Sequence, residues 1–132
     1  MQVASVQRAV EVFAILHLAA IGLSHVLAPR AWVDFFQLLH RQGKPGAFFV
    51  AFMSLWFGSI VAAFHDVWTG VPAILTAIGW AQVVKGLVYF VFPGFGLRRM
   101  AMVTPQRAPW FAWGGAVLLV PAALLAWHLA SS

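Results

Sequence analysis

Lys85 and Gln82 lie well inside an otherwise apolar stretch, "GWAQVVKGLVYFVFPGFGLRRM", which runs from Gly79 to Met100. A charged amine among hydrocarbon side chains needs a partner, and ionisable residues at membrane depth mark ligand or proton pathways. At 100° per residue, Gly79, Gln82, Lys85, Gly86, Tyr89 and Pro93 fall on one arc of about 120°. Val84, Leu87, Val88 and Val91 take the opposite side. Small and polar residues on one stripe suit a helix-facing surface in lipid, where close approach and hydrogen bonds drive association. Lys85 is therefore expected to border the packed face of its helix.

An earlier apolar stretch has the same character. Glu11, His17, Ser24 and His25 share one side of it, while Val12, Ile15, Leu16, Ala19, Leu23 and Val26 share the other. The two polar sides are expected to face one another. Helical side chains lean toward the helix N-terminus, so the Lys85 amine is expected to point to the middle of its span rather than snorkel to the nearer end. His17 is the polar group closest to that place, and no carboxylate lies at the same depth. Lys85, Gln82, Tyr89, His17, Ser24 and His25 together define a candidate intramembrane polar site.

A second group, Glu11, His65, Asp66 and His128, belongs near the opposite ends of the helices. Imidazoles with carboxylates can hold a divalent metal. No H-x-x-x-H or E-x-x-H spacing is present, so these residues read as helix-end groups meeting water, and no metal is expected. A haem clamped by two histidines is disfavoured, because His17 and either His65 or His128 differ in depth by about two turns. No other cofactor is implied. Without cysteine, thiol nucleophiles, thiolate metal sites and disulfides are excluded. Phosphate loops, Ser/His/Asp arrangements and paired catalytic carboxylates are missing, and the reading is not an enzyme.

The elements that position these residues are set by composition. Of 132 residues, 63% are hydrophobic and 8% charged, with a mean hydropathy of +0.90. Soluble domains carry roughly 25% charged residues, so the lipid bilayer is the natural solvent. Apolar runs at Ala9–Ala28, Ala47–Phe64, Val71–Phe92 and Trp110–Leu129 each approach the ~20 residues that cross ~30 Å of hydrocarbon. Pro29 and Pro93 follow the first and third runs, and Pro45 and Pro109 open the second and fourth. Pro121, inside the fourth, is expected to kink it. The expected fold is all-α: a transmembrane four-helix bundle in a single domain, residues 1–132. The first run follows Arg8 as a signal peptide would, but Glu11 opens it and Pro29 follows the plausible cut, so it reads as a retained helix.

Between the first two spans, "PRAWVDFFQLLHRQGKPG" places Trp32, Phe35, Phe36 and Leu39 at helical spacing among Arg30, Asp34, Gln37 and Arg41. This predicts a short interfacial amphipathic helix over residues 30–42. "HDVWTG" reads as a tight turn. Trp32, Trp68, Trp110 and Trp127 lie near span ends as an aromatic belt, whereas Trp56 and Trp80 are expected to pack inside. His25 and His40 belong near the basic interface.

The net charge of +5 comes from basic residues clustered in two loops, too few for a nucleic-acid surface. Arg30, Arg41, Lys44, Arg98, Arg99 and Arg107 lie on one side and Arg8 alone on the other. The positive-inside rule then puts both long loops in the cytoplasm and both termini outside. A shift of 64 residues superimposes Pro29 on Pro93, Pro45 on Pro109 and Gly22-Leu23 on Gly86-Leu87, the punctuation of two similarly oriented hairpins.

The stretches "AIGLSHVLAPRAW" and "LTAIGWAQVVKGLVYFVFP", with four short spans in one small chain, resemble small bacterial four-span membrane proteins of the DoxX-like kind. That resemblance implies an accessory membrane component and assigns no functional residue. The leading expectation is a non-enzymatic inner-membrane component that packs with itself, as a homo-oligomer, or with a membrane-protein partner. A second is a small transporter or channel with a polar track around Lys85. A haem- or quinone-linked redox subunit is the third.

Overall fold

The computed structural model describes residues 2–132 and forms six α-helices with no strand among them. They are α1 (Gln2–Leu27), α2 (Pro29–Arg41), α3 (Lys44–Phe64), α4 (Pro72–Val91), α5 (Pro93–Ala101) and α6 (Ala108–Ser131), with a 3₁₀ turn at Pro105–Arg107 before α6. Four helices, α1, α3, α4 and α6, are long and apolar enough to cross a membrane. The chain is thus an all-α helical bundle of the multi-pass membrane type.

Proline supplies most of the helix starts. Each helix from α2 to α6 has proline in one of its first two positions, where the missing N–H is no loss. Gly43 and Gly70 precede α3 and α4 with φ of +69° and +67°, a left-handed turn that a side chain would oppose. The expected interfacial helix is present as α2, with Val33 and Leu39 buried and its charged face exposed. A second short helix, α5, corrects the reading of Pro93 as a stop: Pro93 ends one helix and opens the next. α6 runs unbroken past Pro121.

The spans associate as two tight pairs, α3 with α4 and α1 with α6. Small residues make each seam. A Cβ added at Gly58 would meet the Val83 nitrogen at 2.6 Å and the Gly79 carbonyl at 2.7 Å; one at Gly115 would meet the Gly22 carbonyl at 2.5 Å. This is how helices gain contact in lipid, where burial supplies no drive between them. The seams are equivalent under the 64-residue shift. Gly22 approaches Gly115, and Gly86 approaches Ala51, so α1 against α6 corresponds to α4 against α3. Tight pairing therefore crosses between the two halves, not within them.

There are two apolar cores, of which the first joins the two pairs and the second packs α2 and α5 onto the α3–α4 pair. The first, at the end carrying the chain termini, contains Ala14, Leu18, Phe57, Val61, Leu75 and Leu125. The second, at the end carrying α2 and α5, contains Leu39, Ala47, Ala51, Tyr89 and Met100. Trp56 and Trp80 do not pack inside as expected; they are 60% and 48% exposed and face outward, as an aromatic ring can in hydrocarbon. Pairing across the bundle is looser than within each pair, which leaves space between the cores.

Candidate functional site

That space is a cavity of about 230 Å³ bounded by all four spans and α2. From α1 come His17, Leu18, Ile21 and His25; α4 gives Ile78, Gln82 and Lys85. α3 adds Met53, Ser54 and Phe57, α2 adds Trp32 and Phe36, and α6 contributes Leu118. At ~30 Å³ per molecule the space would hold about seven waters, or one small organic ion. The polar sides of α1 and α4 thus face each other across a cavity instead of touching.

The residues singled out from the sequence fall around this space. His17, His25, Gln82 and Lys85 line it directly. Ser24 stands one step behind, accepting a hydrogen bond from Trp32 Nε1 at 2.9 Å. The Tyr89 ring carries the Lys85 amine, whose Nζ lies 5.7 Å from the ring centroid. Here the structure differs from the sequence reading. The amine is over a ring four residues toward the C-terminus, not drawn toward the middle of the span. The electron-rich face of tyrosine attracts a cation without neutralising it, and this contact outweighs the lean of the helix.

The wall is chemically uneven. His25 stacks on Trp32 at 4.1 Å, and its Nδ1 is 2.8 Å from the Ile21 carbonyl. That carbonyl can only accept, so Nδ1 carries the hydrogen, and the other ring nitrogen is free to accept when the ring is neutral. His17 stacks on Phe57 at 4.7 Å. His17, Gln82 and Lys85 make no hydrogen bond within the described residues, and Lys85 has no carboxylate within 4.0 Å, because the one ion pair lies elsewhere. His17 and Gln82 are half-buried, whereas Lys85 is exposed, contrary to the expectation that it borders the packed face of its helix. The cavity therefore presents unsatisfied polar groups at His17 and Gln82 in mid-bundle, with the exposed Lys85 amine displaced toward the basic end. The histidines that line it sit on one helix, so they do not form a facing pair that would clamp a haem.

Phe111 lies outside this lining, against two of its aromatic residues. Its ring stacks on Phe36 at 5.7 Å and lies 5.6 Å from His25. Phe111 lines a second, basic cavity instead.

The other predicted cluster separates. Glu11 and His65 come together, with Oε1 3.0 Å from Nε2, and both are buried, at 5% and 0% exposure. Thr76, absent from the sequence reading, completes the unit: its Oγ1 is 2.9 Å from His65 Nδ1 and 2.7 Å from the Val67 carbonyl. The carbonyl cannot donate, so the threonine hydroxyl gives it a hydrogen and accepts from Nδ1. One further proton lies between Nε2 and Glu11, leaving the buried pair neutral overall. The expectation that these groups meet water is thus corrected for Glu11 and His65. Asp66 is exposed and accepts from Trp68 Nε1 at 2.6 Å, and His128 joins neither contact. No group of three metal-ligating side chains forms among the described residues. Enclosed as it is, the Glu11–His65–Thr76 unit has no access for a substrate and serves as a clasp between α1 and the α3–α4 connection.

No family model matches the chain, and neither the curated proteins nor the solved structures compared with it give a match. The function must be argued from the cavity itself.

Proposed function

We propose that this chain is a small transporter of the bacterial inner membrane, with both termini outside the cytoplasm, whose central cavity takes up a small anion or proton-bearing solute. The observation that carries the reading is that His17, Gln82 and Lys85 line one cavity and make no side-chain hydrogen bond to the protein. Polar groups in hydrocarbon are costly unless satisfied, and a purely structural bundle would have paired or omitted them. The Gln82 amide offers two donors to this space, and the Lys85 ammonium carries three more. A ligand bearing carboxylate or similar oxygens would satisfy them.

An accessory role, packing with itself or a larger membrane complex, uses the same scaffold and fits the likeness to small DoxX-like proteins. It leaves the cavity chemistry without a purpose. The inward orientation of the basic loops rests on the charge bias between the two ends.

Reconstitution into proteoliposomes separates these readings. Electrogenic flux of a small organic anion or of protons that falls at least ten-fold in Lys85→Met, with the variant inserted normally, supports transport. Absence of flux in the unaltered protein, together with its co-purification in a larger assembly, would replace the transporter reading with the accessory one.

A further inference from the structure

A separate feature lies at the basic end, between α5 and the first turn of α6. A cavity of about 210 Å³ is lined by Arg99, Met102, Val103, Arg107, Trp110 and Phe111. Arg107 is held in place: its guanidinium lies 4.9 Å over the Trp110 ring, and Nη1 donates to the Met102 carbonyl at 2.9 Å. One donor is thereby used and four remain, on a planar group whose direction is fixed. Arg99 is almost uncommitted, with only a 3.7 Å contact from Nη1 to the Met102 sulfur.

Neither guanidinium has an anion. The chain holds three acidic residues, of which Glu11 pairs with His65 and Asp66 bonds Trp68, both at the far end. Asp34 alone remains on the basic side, against Arg30, Arg41, Lys44, Arg98, Arg99 and Arg107. α6 also begins here, so the positive end of its dipole adds to the field. Forked N–H groups beside a helix start match the oxygens of a phosphate.

The remaining lining is apolar. Met102 and Trp110 are 44% and 64% exposed, at the mouth of a membrane span. Such a rim suits a phosphate that is esterified to something greasy more than a free inorganic ion. Basic pockets between membrane helices on the cytoplasmic side recognise anionic head groups in this way.

We infer that the Arg99–Arg107 cavity binds a phosphate-bearing anion, supplied by the phosphodiester head group of an anionic phospholipid. The inference does not rest on the transport reading, because none of the residues lining this site lines the central cavity. Its loss would leave flux chemistry at Lys85 open to separate measurement.

Native mass spectrometry of the delipidated protein tests the inference, using phosphatidylglycerol, phosphatidylcholine and inorganic phosphate as probes. Phosphatidylglycerol is expected to bind at least ten-fold more tightly than phosphatidylcholine. Arg99→Gln, which breaks no backbone hydrogen bond, should remove most of that preference, and Arg41→Gln should leave it intact. Arg107→Gln is a second probe, accepted only if its melting temperature shows a folded protein. Saturable protection by phosphate alone, abolished by Arg99→Gln and without lipid preference, would keep the anion site and overturn the lipid source. Equal binding of both lipids without phosphate binding, or equal losses in Arg99→Gln and Arg41→Gln, would overturn the site.

Discussion

His65 Nε2 sits 3.0 Å from Glu11 Oε1, and this one bond links residues from different tight helix pairs. Glu11 belongs to the α1–α6 pair, and His65 ends the α3 side of the other. Breaking a buried pair by removing one partner costs about 3–5 kcal/mol, because the other is left unsatisfied. His65→Ala should therefore lower stability by that order, and Thr76→Val by about 1–3 kcal/mol through the orphaned ring nitrogen. Glu11→Leu combined with His65→Leu should cost less than the single changes added together. Unfolding in mixed micelles, analysed as a double-mutant cycle, measures the coupling; strict additivity would mean that the clasp contributes nothing as a pair.

Glycine substitutions offer an internally controlled test of the seams. Gly114 has open space where its Cβ would go, whereas Gly115 and Gly58 face backbone at 2.5–2.7 Å. Gly114→Ala should be neutral or stabilising by up to ~1 kcal/mol from helix propensity. Gly115→Ala and Gly58→Ala should each destabilise by about 1–3 kcal/mol through overpacking. Melting temperatures in detergent rank the three, and equal effects at Gly114 and Gly115 would contradict the close approach.

The chain has no cysteine, so any introduced thiol is a single probe. Gln82 lines the central cavity, while Val84, two residues on, is 58% exposed on the outer surface of the bundle. In membranes, Gln82→Cys should react with a charged thiol reagent at least ten-fold faster than Val84→Cys. Comparable rates would mean that water does not reach the cavity.

Orientation is checked with the same background. Gln42→Cys and Gln106→Cys should be modified by an impermeant reagent only after the cells are opened, and Ser132→Cys in intact cells. The reverse pattern would invert the assignment and contradict the charge bias.

Much of the scaffold was readable because hydropathy and proline are local signals. The four spans, α2 and the polar stripe on α4 follow from residue order alone. α5 was missed because proline after a helix and proline at the first turn of another look the same along a chain. The burial of His65 was invisible for a different reason: its partner Glu11 is 54 residues away, and only the fold brings them together. Lys85 shows the limit from the other side. Its depth was readable, but the side chain is exposed where a packed face was expected, and the amine's direction depends on where the Tyr89 ring rests, against Gly96 in α5.

The pairing of α1 with α6 bears on how the protein is made. α1 leaves the ribosome before α6 and must wait in the bilayer until α6 has been inserted before its glycine seam can close. During that interval Gly22 and the rest of the seam face of α1 lack their partner. A chaperoning insertase, or swift synthesis of α6, would shield that face, and a chain terminated before α6 would be an early target for membrane proteolysis.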